Sequence, residues 1–140
     1  MNALLMTISL WLSISFGLPA TDVMPHVEHL PPAKIAALHL GAHHSAPSPD
    51  VAPESTARVD DIMSVYDDAA RTIFLREGWT GATPAEVSIL VHEMVHHFQN
   101  LGGLRYACAQ EREKLAYEAQ ERWLGIFGKS LESEFQIDGF

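Results

Sequence analysis

Apolar side chains recur every three to four residues along one stretch, at Ile89, Leu90, Val91, Met94, Val95, Phe98 and Leu101, and this spacing predicts a helix. Its start is marked by Thr83 as a capping residue, Pro84 at the first helical position and Glu86 three residues after Thr83, as in a capping box. Gly102-Gly103 ends it. A further helix is expected from about Ala107 to Phe127, with Leu115, Ala116, Ala119, Trp123, Leu124 and Phe127 as its apolar face. That face can pack against the first helix.

Upstream the pattern changes. Between Arg58 and Gly78, Val59, Ile62 and Met63 suit a helical or irregular approach, whereas Thr72-Ile73-Phe74-Leu75 favours a strand and Tyr66-Asp67-Asp68 is turn chemistry. A hairpin is expected, with strands near Ser64 to Tyr66 and Arg71 to Arg76. Farther back, Pro25, Pro31, Pro32, Pro47, Pro49 and Pro53 alternate with His26, His29, His39, His43 and His44. Residues 21–55 therefore read as a largely irregular Pro/His-rich segment, with a short helix from about Pro32 to Leu40 and a linker from Ala46 to Glu54. Only His43 and His44 adjoin, so these histidines are expected to be solvated linker residues, with metal binding by the His-rich tract as the alternative. The compact domain is expected over residues 56–140, in an α+β arrangement.

Residues Leu4 to Leu18 form an uncharged apolar run, and Leu18-Pro19-Ala20 resembles a small-residue cleavage site. The expectation is a signal peptide over residues 1–20 and a secreted or periplasmic chain, although the run has no Lys or Arg before it. An uncleaved membrane anchor is the alternative, because the run approaches the ~20 residues a membrane span needs. All charged side chains lie beyond residue 20, so cleavage leaves the net charge of −9 unchanged. Nucleic acid and anionic lipid are then poor partners. With 140 residues, the chain has material for one modest core. Cys108 is the single cysteine and is expected to be a small buried hydrophobe; Trp79, Trp123 and Phe135 are expected to pack.

The first helix carries His92-Glu93-Met94-Val95-His96. Residues i and i+4 share a helix face, so His92 and His96 can aim imidazole nitrogens at one Zn²⁺. Glu93 lies one residue round from His92, placed to act as general base on a water at the metal. Helix packing does not explain the group, because buried ionisable side chains are costly without partners and the helix has ample apolar residues. A catalytic zinc site has three protein ligands and an open position. No histidine follows His97, so the third must be acidic. Glu113 shares an i, i+3, i+4, i+7 stripe with Ala116, Tyr117 and Gln120 and is the expected ligand, with Glu111 and Glu118 as alternatives. His97 lies about 100° round from His96 and is expected at the surface or behind the ligands. Gln99 is either a hydrogen-bonding partner of the site or a packing residue.

His92-Glu93-x-x-His96 followed by Glu113-x-x-Ala116-Tyr117 resembles the gluzincin pattern, most closely the small zincin-like domain proteins of bacteria. The similarity covers about Tyr66 to Trp123. It implies a compact zincin-like core with a zinc helix, a second packed helix and a short β-hairpin. It also implies a zinc-dependent hydrolase, in the first place a metallopeptidase acting on a peptide or protein. In that class an edge strand beside the metal helix holds extended substrate, and Arg71 to Arg76 is the expected strand. Larger gluzincins have an acidic residue four positions after the ligand, where this chain has Tyr117. Tyr66, Tyr106, Tyr117 and His97 are possible oxyanion donors. The small size motivates the alternative of a non-catalytic zinc-binding or interaction domain.

Overall fold

The computed structural model describes residues 1–19, 21–43, 64–103 and 109–135. In chain order the elements are α1 (Asn2–Phe16), β1 (His26–Leu30), α2 (Pro32–His43), β2 (Ser64–Asp67), β3 (Thr72–Arg76), α3 (Pro84–Leu101), α4 (Ala109–Ile126) and α5 (Leu131–Phe135). The fold is α+β, with five helices and one three-stranded mixed sheet among the described residues. They form two compact units, His26–Trp79 in one and Met1–Pro25 with Thr80–Phe140 in the other.

In the first unit the hairpin lies where the β-favouring residues put it. Asp67 Oδ1 accepts from Ala70 N–H at 3.1 Å, and Arg71 takes a positive φ of 49° to close the turn. β2 then pairs antiparallel with β3, Tyr66 opposite Ile73. The sheet order is β1-β3-β2, and β1 pairs parallel with β3, Val27 opposite Ile73. Two expectations change. Residues 26–30 form a strand inside the segment expected to be irregular, and its partner β3 is a central strand. The Arg71 to Arg76 stretch cannot hold substrate by strand addition, because β1 and β2 already occupy both of its edges. Strand alternation missed β1 because His26-Val27-Glu28-His29-Leu30 is short and polar. The helix expected near Pro32 to Leu40 is present as α2, and Ile35 and Ala36 pack with Val65, Leu30 and Phe74. Trp79 is buried, with the His29 ring 6.2 Å away. The expected linker over residues 46–54 and the approach over 58–63 lie outside the described residues.

The second unit is built around α3. Thr83 caps it, accepting from Glu86 N–H at 3.1 Å, and Pro84 occupies the first turn. Glu86 folds back to accept from Thr80 Oγ1 at 2.9 Å and Ala82 N–H at 3.0 Å. The open N–H of Glu86 in the first turn and that of Ala82 just before the helix are thereby satisfied. Replacing Thr83 with Ala is expected to cost about 1 kcal/mol in denaturant unfolding, and an unchanged midpoint would contradict the cap.

Residues Ser88 to Gln99 of α3 are buried apart from the half-buried His92. α4 packs along it with Ala116, Ala119, Gln120 and Leu124 inward, while Phe127 is exposed. α1 belongs to the same unit. Leu5, Ile8 and Leu12, at helical spacing, are fully buried; Trp11 meets Trp123 edge-on at 5.3 Å, and Arg122 donates to the Ser15 carbonyl and lies over the Phe16 ring. The expected cleavage position at Ala20 lies outside the described residues. Among the described residues, no helix is long and apolar enough to cross a membrane.

Candidate metal centre

Two α-helices packed side by side bring the expected ligands together. On α3, His92 and His96 are one turn apart with ring centroids 5.1 Å from each other. Glu113, in the second turn of α4, bridges them: Oε2 is 2.8 Å from His92 Nε2 and Oε1 is 2.8 Å from His96 Nε2. The potential ligand atoms of His92, Glu93 and His96 lie within 4.8 Å of one another. Glu111 and Glu118 are exposed.

The opposite ring nitrogens are also engaged. His92 Nδ1 lies 3.0 Å from Gln120 Oε1, and His96 Nδ1 lies 2.8 Å from Gln99 Oε1. Gln120 Nε2 donates to Ser88 Oγ at 3.1 Å, and that hydroxyl donates to the Ala85 carbonyl at 2.6 Å. Gln99 Nε2 donates to the Arg112 carbonyl at 3.1 Å. Arg112 in turn donates through Nε to Gln99 Oε1 and through Nη2 to the His96 carbonyl. Gln99 thus lies at the site, as one of its two expected roles requires. Sequence reasoning missed Ser88, Arg112 and the role of Gln120. A signal existed for two of them, since Ser88 precedes His92 by four residues and Gln120 ends the Glu113 stripe.

Other expected residues fall differently. His97 is fully buried rather than at the surface, and its Nε2 is 2.7 Å from the Val23 carbonyl. That contact occupies Nε2, one of its two ring nitrogens. Tyr117 lies edge-on to His92 at 4.6 Å. Burial, reinforced by the negative charges of Glu113 and Glu93, pushes its hydroxyl above the ordinary value and keeps it a donor. Tyr66 belongs to the other unit. Tyr106 and Cys108 lie outside the described residues.

Two imidazoles on one carboxylate form a strongly coupled group. Burial pulls His92 down, yet the hydrogen bond to Glu113 and the charges of Glu93 and Glu113 prevail and hold it above its ordinary 6.5. Burial pushes Glu113 up, but the hydrogen bonds and charges of His92 and His96 prevail and hold it well below its ordinary 4.5. The raised histidine contributes stability that is complete below 6.5 and lost as pH rises through its folded value. The depressed carboxyl contributes stability present above 4.5 and lost as pH falls through its folded value. In chelator, Glu113→Gln should therefore lower Tm most between pH 4.5 and 6.5, and less at higher pH. A gap independent of pH would contradict the coupling.

The donor set fits zinc. Ligands about 2.1 Å from a tetrahedral zinc lie roughly 3.4 Å from each other, so the 2.8 Å contacts would have to widen by roughly half an ångström to accept a cation between them. Two imidazole nitrogens and a carboxylate are a borderline-soft set of the kind zinc takes. A family description matches residues 1–137, and the chain belongs to that family, Domain of unknown function (DUF6647). No curated protein and no solved structure matches the chain.

Proposed function

We propose that the chain is a zinc-dependent hydrolase of the zincin-like class, acting on a peptide or protein. The observation that carries this reading is the convergence of both Nε2 atoms of a His-Glu-x-x-His helix on Glu113 from a second helix. His92, His96 and Glu113 would hold Zn²⁺. When bound, the metal polarises a carbonyl and makes a nearby water acidic enough to supply the nucleophile near neutral pH. Glu93 does the proton work. It is buried beside His92 and His96 and is not the carboxylate that bridges their Nε2 atoms, which leaves it to take a proton from the attacking water and return it to the leaving amine. Tyr117 is a phenol beside the site and can donate to the developing oxyanion.

Assay of zinc-loaded protein on casein and on a peptide library tests this reading. Cleavage that a chelator abolishes and zinc restores supports it; zinc-loaded protein inert on both favours the non-catalytic zinc-binding domain.

Export is part of the same proposal and rests on the leader-like run and on Leu18-Pro19-Ala20. It has a structural cost, because a chain beginning at Thr21 loses the cover that Leu5, Ile8 and Leu12 provide. Mass spectrometry of the chain recovered from its host should find Thr21 first; an N-terminal Met1 would overturn export by cleavage.

A further inference from the structure

The two histidines are held from behind by neutral amides, and the donors around those amides leave little choice of orientation. Ser88 gives its single hydroxyl proton to the Ala85 carbonyl, so toward Gln120 it can only accept, and the Gln120 group facing it must be the NH₂. Gln120 Oε1 then faces His92 Nδ1. On the other side the Arg112 carbonyl can only accept and the Arg112 guanidinium can only donate. Gln99 must therefore present Nε2 to the first and Oε1 to the second, and the same oxygen faces His96 Nδ1. An imidazole nitrogen that meets a carbonyl oxygen carries the proton.

We propose that Gln99 and Gln120 are positioning residues that keep the proton on Nδ1 of both imidazoles, so that the proton each ring gives up to a metal is the Nε2 proton now shared with Glu113. Both Nε2 lone pairs would then face one point beside Glu113. The proposal rests on the zinc reading. Gln99 and Gln120 are 1% and 5% exposed, so water does not compete for these bonds. An amide acceptor orients the ring as a carboxylate does without adding negative charge behind the ligand. Glu113 is then the one anionic side chain among the three that would hold zinc, and the metal keeps net positive charge to act on a carbonyl. The polar residues Ser88 and Arg112 have a role in this arrangement, since each fixes which way one amide points.

The test measures zinc affinity by competition with a chromophoric chelator for the full chain and for Gln99→Leu, Gln120→Leu, Gln99→Glu and Gln120→Glu. Circular dichroism of each metal-free variant is recorded alongside. The leucine variants keep bulk but lose the acceptor, and each is expected to bind zinc 10–100-fold more weakly. The glutamate variants restore an acceptor and should recover most of that loss, which a residue needed only for packing would not explain. Leucine variants that bind zinc as the parent does would overturn the proposal while leaving the zinc site standing. A parent that binds no zinc would overturn the zinc reading, and this proposal with it. Should the leucine variants not fold, imidazole nitrogen NMR of the zinc-loaded parent decides directly. Protonated Nδ1 with metal on Nε2 for both rings is expected, and metal on Nδ1 of either ring would overturn the assignment.

Discussion

Glu93→Gln is expected to leave zinc binding within a few-fold of the parent and to lower kcat by at least about 10²–10⁴-fold, the usual range for loss of a general base. Glutamine matches glutamate in size and can keep a hydrogen bond to water, but it cannot accept a proton near neutral pH. Glu93 is 4% exposed and sits beside His92 and His96, so the substitution changes proton transfer with little change in packing. The measurement is kcat on a peptide cleaved by the parent, together with metal content. A variant that keeps zinc and full turnover would exclude Glu93 as the base.

The second large effect is at Glu113. Alanine there removes both oxygens that meet the histidines, and zinc affinity should fall by more than the 10–100-fold typical of losing a supporting hydrogen bond. Two histidines cannot close a site that takes three protein ligands. The metal-free protein should suffer as well, because His92 and His96 would be left without the carboxylate that now bridges them. Chelator competition and thermal unfolding read the two consequences separately. Unchanged zinc affinity would mean that the ligand is another residue.

The helices were legible in the sequence because their signals were local. Thr83, Pro84 and Glu86 announce the start of α3, and the periodic apolar residues fix which face of α4 turns inward. The same helical arithmetic placed Glu113 toward the histidines and left Glu111 and Glu118 outside. Strand order was not legible. β1 is joined to β3 by parallel pairing across more than forty residues of sequence, and no local pattern in His26–Leu30 specifies that partner. The supporting amides were half legible: Gln99 and Gln120 occupy facing positions, but a polar residue on a packed helix says nothing by itself about which atom it meets. His97 shows the limit from the other side. Its place on the helix kept it away from the ligand pair, but its burial against Val23 depends on a chain segment 74 residues earlier.

The metal site proposed at His92, His96 and Glu113 is the basis of the hydrolase reading. Its most direct test is inductively coupled plasma mass spectrometry of the untagged, full-length chain after exhaustive dialysis against metal-free buffer. About one zinc per chain is predicted. A chain that comes through dialysis without zinc, and takes none up when zinc is supplied, would overturn the metal site and leave the convergence of these three side chains as a partly buried ion-paired cluster.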